Sequence, residues 1–240
     1  HLLYEAAKKY EADVVYGGIF YFDGEKIKES KVVTKERVWK GKQEVKDLLL
    51  DFIATEPNEK KDTIMEVSVW KALFRKKVFD EYDISFVSER QFISEDVIFD
   101  IDYLSKCNCV VAIPEPVYFY CVNPNSLSKV FRTDRFNKVK KLYKEILKKL
   151  IPIYGEELSN RRGDRFLIAR ARTNARQIIR HEKIIGKNKM MKALHNICED
   201  QDMNEIFQRY PIHLLPLKYR LVAYLMKYRC YHLLKIILGR

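Results

Sequence analysis

In Ile84-Ser85-Phe86-Val87-Ser88-Glu89-Arg90-Gln91-Phe92-Ile93-Ser94-Glu95-Asp96-Val97-Ile98-Phe99, an extended apolar run gives way to polar residues and then to a helix. Apolar residues at 97, 98, 101 and 104 recur at helical spacing, so a helix starts just after Ser94, a residue type able to cap it. Glu95 and Asp96 then fall in the first turn, where the helix dipole favours negative charge. Acids at that position are ordinary capping chemistry. A carboxylate held at a helix start can equally serve as a general base. The residues alone leave both roles open.

Outward from that stretch, residues 1–128 alternate short strand and helix signals. Residues 4–10 read as a helix end. Asp13-Val14-Val15-Tyr16-Gly17-Gly18 reads as a buried strand closed by a glycine pair, with extended chain to Phe22 and a turn at Asp23-Gly24. Residues 26–33 read as the return strand. Apolar residues at 45, 48, 49, 52 and 53 predict a helix over 42–53. Residues 110–122, holding Pro114 and Pro116, predict strand, turn and aromatic strand. The texture is α/β.

Beyond residue 130 the strand signals nearly vanish. Helical spacing covers 136–150, 165–185, 189–198 and 217–238, the last as one long helix, with Pro211 and Pro216 bracketing a break. Along 165–185, Arg165, Arg172, Arg176 and Arg180 keep mostly to a face of their own. The chain divides into an α/β body over 1–130 and a basic, all-helical region over 131–240.

Charge divides it at the same place. Residues 1–128 carry 18 Lys and Arg against 23 Asp and Glu, and residues 129–240 carry 27 against 10. The net charge of +12 is therefore −5 in the body and +17 in the helical region. On the 217–238 helix, Val222, Ala223, Met226, Cys230, Leu233, Leu234 and Ile237 form a charge-free arc. That arc can pack on the body, lie on an anionic membrane surface or dock a partner.

Several classes are excluded or weakened. With 240 residues and 47% apolar content the chain is globular, and no apolar run reaches the length of a membrane span. No signal peptide is read at its start, and with no initiator Met the chain is expected to be a piece of something longer. The five cysteines are irregularly spaced, which fits a reduced, cytoplasmic setting, and Cys107 and Cys109 read as one face of a short strand rather than a metal pair. His181-Glu182 lacks the second His of a zinc-protease motif, and Gly17-Gly18 is not a phosphate loop.

The segment Trp70-Lys71-Ala72-Leu73-Phe74-Arg75-Lys76-Lys77-Val78-Phe79, followed by Ile84-Ser85-Phe86 and by Glu95-Asp96, resembles the family-2 glycosyltransferases of bacterial polysaccharide synthesis. Tyr118-Phe119-Tyr120 followed by Asn125-Ser126-Leu127-Ser128 resembles that family's next element, an aromatic strand ending in a small hydroxyl residue. The opening helix and Ala12–Gly18 resemble the stretch after the family's metal-binding Asp-x-Asp motif. The resemblance covers residues 1–130.

It implies a partial GT-A-type body, the nucleotide-diphospho-sugar transferase fold, lacking the upstream nucleotide-binding half. Asp100-Ile101-Asp102 has the letters of the Asp-x-Asp motif but lies inside the helix, where its side chains diverge. The resemblance implies sugar transfer from a nucleotide-sugar donor to a glycan or lipid-linked acceptor, with inversion. Asp96 would be the base, and Glu95 would orient it or contact the acceptor. Trp70 would floor the acceptor site, although a Trp with apolar neighbours is also ordinary core. Ser126 closes the aromatic-strand motif. Cys121 and Val122 stand where the family often has an Arg, leaving Lys129 and Arg132 as nearby substitutes for diphosphate contact.

A divalent cation, Mn or Mg, is implied for the full-length protein, with its ligands mostly outside this chain and no metal site within it. The piece alone is expected to be inactive, and its location cytoplasmic, peripheral at the inner face of the plasma membrane. The alternatives are a non-catalytic scaffold and a basic nucleic-acid-binding protein. The second is disfavoured, because the aromatic residues sit in apolar runs rather than among the Lys and Arg.

Overall fold

A computed structural model describes residues 1–65, 68–123, 132 and 134–239. It divides into two compact units. The first holds His1–Phe52, Thr63–Glu89 and Ser94–Val130, and the second holds Ile53–Asp62, Arg90–Ile93 and Phe131–Arg240.

The first unit is built on a curled, mixed sheet. Its central strand β1 (Val14–Phe22) pairs parallel with β5 (Cys109–Cys121) and antiparallel with β2 (Ile27–Ser30) and β4 (Ala72–Phe74). β3 (Arg37–Lys40) adds to the other side of β5. Val14, Val15 and Tyr16 are wholly buried, as β-branched and aromatic residues of a central strand should be.

Gly17 and Gly18 do not close β1; they let it pass close to its neighbours, β5 at Gly17 and both β2 and β5 at Gly18. A Cβ on Gly17 would sit 2.5 Å from Val117 Cγ2, and one on Gly18 would sit 2.9 Å from Ser30 O. Pairing shifts here, from Tyr16 opposite Ala112 to Gly18 opposite Pro116, so β5 carries extra residues where Pro114 and Pro116 cannot donate ladder hydrogen bonds. A bulge in one continuous strand replaces the turn expected within 110–122. Cys107 precedes that strand and Cys109 opens it, so the two do not share a strand face; both are buried free thiols.

Helices α1 (Leu2–Tyr10), α2 (Lys42–Ile53), α3 (Lys76–Tyr82) and α4 (Asp96–Leu104) accompany the sheet. α4 is tied in by aromatic rings: Phe74, Phe79, Phe86, Phe99 and Tyr103 meet at centroid distances of 4.2–6.1 Å. Tyr103 donates its hydroxyl to Asp13 O at 2.7 Å, and the Asp13 carboxylate accepts the backbone N–H of Asn108 at 2.7 Å and of Cys109 at 3.0 Å.

The second unit is helical. α5 (Arg135–Tyr154) packs on α6 (Glu156–Arg180), followed by α7 (Glu182–Ile185), α8 (Lys187–Cys198) and α9 (Gln201–Arg209), the last without a counterpart in the sequence reading. Asp164 is held between Tyr143 and Arg209, its Oδ1 at 2.9 Å from the Tyr143 hydroxyl and 2.7 Å from Arg209 Nη2. Arg165 and Arg172, expected on a polar face, are buried instead. Both pair with Asp62, and Arg165 also donates to Glu59 O at 3.1 Å. A guanidinium can be buried when its fork of donors finds carbonyls and a carboxylate.

The long helix expected over 217–238 is two helices, α10 (Leu217–Lys227) and α11 (Tyr231–Gly239). Arg229 between them adopts φ 57°, a left-handed conformation that ends a helix. Of the charge-free arc, Val222, Ala223, Met226 and Leu234 are buried, while Leu233 is exposed. Among the described residues, no helix is long and apolar enough to cross a membrane.

Candidate functional site

The candidate site lies in the first unit, where the start of α4 meets the 3-10 turn Val69–Lys71. Asp96 is the first residue of α4, with Glu95 in the cap position. Ser94 does not cap the helix. It adopts φ 58°, and the Glu95 side chain in the cap position makes no capping hydrogen bond.

The half-buried Asp96 carboxylate accepts the Val69 N–H. Burial first, and the charge of Glu95 second, hold its carboxyl above the usual carboxylate range, while the Val69 N–H acts the other way. Desolvation therefore outweighs the effect of the helix start, which alone would favour the ionised form.

Val69 also joins Asp96 to an aromatic cluster, because Trp70 is the next residue. The Trp70 ring lies 4.5 Å from Tyr118 and is stacked at 5.3 Å on Tyr120. Trp70 is 36% exposed and Tyr118 40% exposed, so neither is core. A partly exposed aromatic surface of this kind suits the apolar C–H faces of a sugar ring.

Beneath Asp96 lies a polar group the sequence reading did not single out. Asp100, one helical turn on, is fully buried and accepts the Tyr16 hydroxyl at 3.2 Å through Oδ1, while its Oδ2 has no hydrogen-bond partner among the described residues. Burial pushes the Asp100 carboxyl up to about 8, with the Tyr16 bond and the charge of Lys71 opposing and the charge of Asp96 adding. Lys71 is itself buried. A signal was present: positions 97, 100, 101 and 104 share the inner face of α4, and only 100 is polar.

Glu95, Asp96 and Trp70 are thus brought together, and Tyr16, Lys71 and Asp100 join them from behind. Ser126 and Lys129 lie outside the described residues. Arg132 forms a paired contact with Asp134, 3.2 Å for each bond. The donor set does not suit a divalent cation. Asp100 holds its proton to about 8, Tyr16 occupies its Oδ1, and buried Lys71 adds positive charge nearby. Among the described residues, no group of three or more His, Cys, Asp or Glu could hold a metal ion.

No family model and no curated protein matches this sequence. By structure the chain is similar to crystal structures of S. aureus TarS, residues 1–349. The complex with UDP-GlcNAc aligns at TM-score 0.56 and 13% identity, over 99% of this chain and 62% of that one. The complex with UDP aligns at TM-score 0.53 and 14% identity, over 100% of this chain and 62% of that one. The chain therefore spans less than two thirds of the TarS structure it matches. At such identities the likeness concerns the fold alone: a mixed α/β body with a helical C-terminal part, similar to part of the TarS structure.

Proposed function

We propose that this chain is the acceptor-side part of a nucleotide-sugar-dependent, inverting glycosyltransferase of GT-A type that acts in bacterial surface polysaccharide synthesis. The observation that carries this reading is the Asp96 carboxylate, raised in pKa and fixed by the Val69 N–H beside the partly exposed Trp70–Tyr118–Tyr120 cluster. The fold likeness to TarS, solved with UDP-GlcNAc and with UDP, supports it.

In this mechanism the acceptor hydroxyl lies against Asp96 with its sugar ring on Trp70. A carboxylate oxygen of Asp96 takes the hydroxyl proton as the hydroxyl oxygen bonds to the anomeric carbon of the donor sugar. The bond to the nucleoside diphosphate breaks on the opposite face, its electron pair leaves with the diphosphate, and the anomeric centre inverts. A carboxylate raised toward the working pH is a better base than an ordinary one. Glu95 raises it and orients the acceptor. Ser126 and Lys129 contact the substrate, and the donor nucleotide and the implied divalent cation are held mostly by residues outside this chain. The 240-residue chain alone is then inactive.

Asp96→Asn in the full-length protein tests the reading. The expected result is loss of transfer by about 10²-fold or more, with UDP affinity and far-UV circular dichroism unchanged. Unchanged transfer removes Asp96 from the role of base.

A further inference from the structure

α10 is apolar on two faces, and only one of them is buried. Val222, Ala223, Leu225 and Met226 face the interior of the second unit. Leu217 and Leu221 are 72% and 46% exposed, Tyr224 is partly exposed, and Tyr228 just beyond the helix is 67% exposed. At 100° per residue these four fall within an arc of about 60°, opposite the buried face. Leu214, in the 3-10 turn before the helix, is exposed as well.

The surroundings of this stripe are cationic. From Ile206 to Arg240 the chain has seven Lys and Arg and no Asp or Glu; of the seven, Arg209 pairs with Asp164 and Lys235 with Glu182. Helical geometry sets Lys218 on one flank of the stripe and Arg220 and Lys227 on the other. Arg220 donates to His213 O at 3.0 Å and Lys227 to Phe207 O at 2.8 Å, so both heads rest on neutral carbonyls that leave their charge uncancelled.

We propose that this stripe docks on an anionic lipid surface, with the Leu217 and Leu221 side chains among the acyl chains, the Tyr224 and Tyr228 rings at headgroup level, and Lys218, Arg220 and Lys227 over acidic headgroups. The chemistry selects this occupant. A second copy would set like charge against like charge, and a phosphate backbone would match the basic flanks but leave the leucines unburied. A bilayer surface accommodates both features. The docking face is distinct from the buried arc that the sequence singled out, and it is independent of the proposed chemistry at Asp96.

Co-sedimentation of this chain with phosphatidylcholine vesicles, with and without phosphatidylglycerol, tests the proposal. Binding is expected only with phosphatidylglycerol and weakens with added salt. Leu217→Glu/Leu221→Glu abolishes it while leaving circular dichroism and melting temperature unchanged, since both side chains project to solvent. Lys218→Glu weakens binding about fivefold or more and flattens the salt dependence. Three results would overturn the proposal: equal binding by the double-Glu variant, no vesicle binding alongside binding to generic DNA, or a dimer that the double-Glu substitution dissolves.

Discussion

The Tyr16 hydroxyl on β1 hydrogen-bonds the Asp100 carboxyl on α4 at 3.2 Å, and both side chains are fully buried. This bond joins the central strand to the helix that presents Asp96, one turn away. The carboxyl keeps its proton up to about 8 because burial penalises its charged form most.

Asp100 makes the first unit less stable as pH rises. In the unfolded chain an aspartate ionises near pH 4, whereas the folded carboxyl holds its proton to about 8. Between those values the folded state binds more protons, so the stabilising contribution present below about pH 4 is lost progressively up to about pH 8. Asp100→Asn keeps an acceptor for Tyr16 and removes the titration. Thermal melts from pH 5 to 9 should show the variant gaining on wild type as pH increases. A constant difference across the range would mean that Asp100 is ionised in the folded protein.

Glu95 helps to hold the Asp96 carboxyl up through its charge. Glu95→Gln should therefore move the Asp96 titration to lower pH, as followed by carbon-13 NMR of the carboxyl groups. In the full-length enzyme the acid limb of the transfer rate should move the same way. A titration that stays in place would leave burial as the whole cause.

The two tryptophans should differ as optical probes. Trp39 is 6% exposed, whereas Trp70 is 36% exposed. Acrylamide should quench the emission of Trp39→Phe, which retains Trp70, far more than that of Trp70→Phe. Equal quenching would place Trp70 in the core and remove it from the candidate acceptor surface.

Gly17 and Gly18 should respond differently to the same added methyl group. Each change to Ala overpacks β1 against a neighbouring strand, β5 at Gly17 and β2 at Gly18, at a cost of about 1–3 kcal/mol. The Gly17 clash is with the Val117 side chain, and the Gly18 clash is with the Ser30 carbonyl oxygen. Val117→Ala should relieve Gly17→Ala and do nothing for Gly18→Ala. Urea denaturation of the three single and two double variants gives both coupling energies, and equal couplings would refute the assignment.

Much of the local structure was legible in the sequence, because it depends on neighbours in the chain. The apolar spacing of 97, 98, 101 and 104 marks α4, the run from Val14 marks β1, and the loss of strand signals after residue 130 marks the helical unit. The adjacency of Glu95 and Asp96 at a helix start was equally plain, since it needs only one turn of helix.

Tertiary structure decided the rest, through burial and close approach between residues distant in the chain. Only folding puts Val69 N–H on Asp96 and Tyr16 on Asp100, and burial, the largest cause for each, raises both carboxyls. Arg165 and Arg172 look like a solvated face until the segment bearing Asp62 covers them. On α10 the periodicity identified an apolar arc, but the packing of the second unit decided that Val222 and Met226 are covered while Leu217 and Leu221 are left to solvent. A one-dimensional pattern records which residues share a face; which face is removed from water depends on what the rest of the chain lays against it.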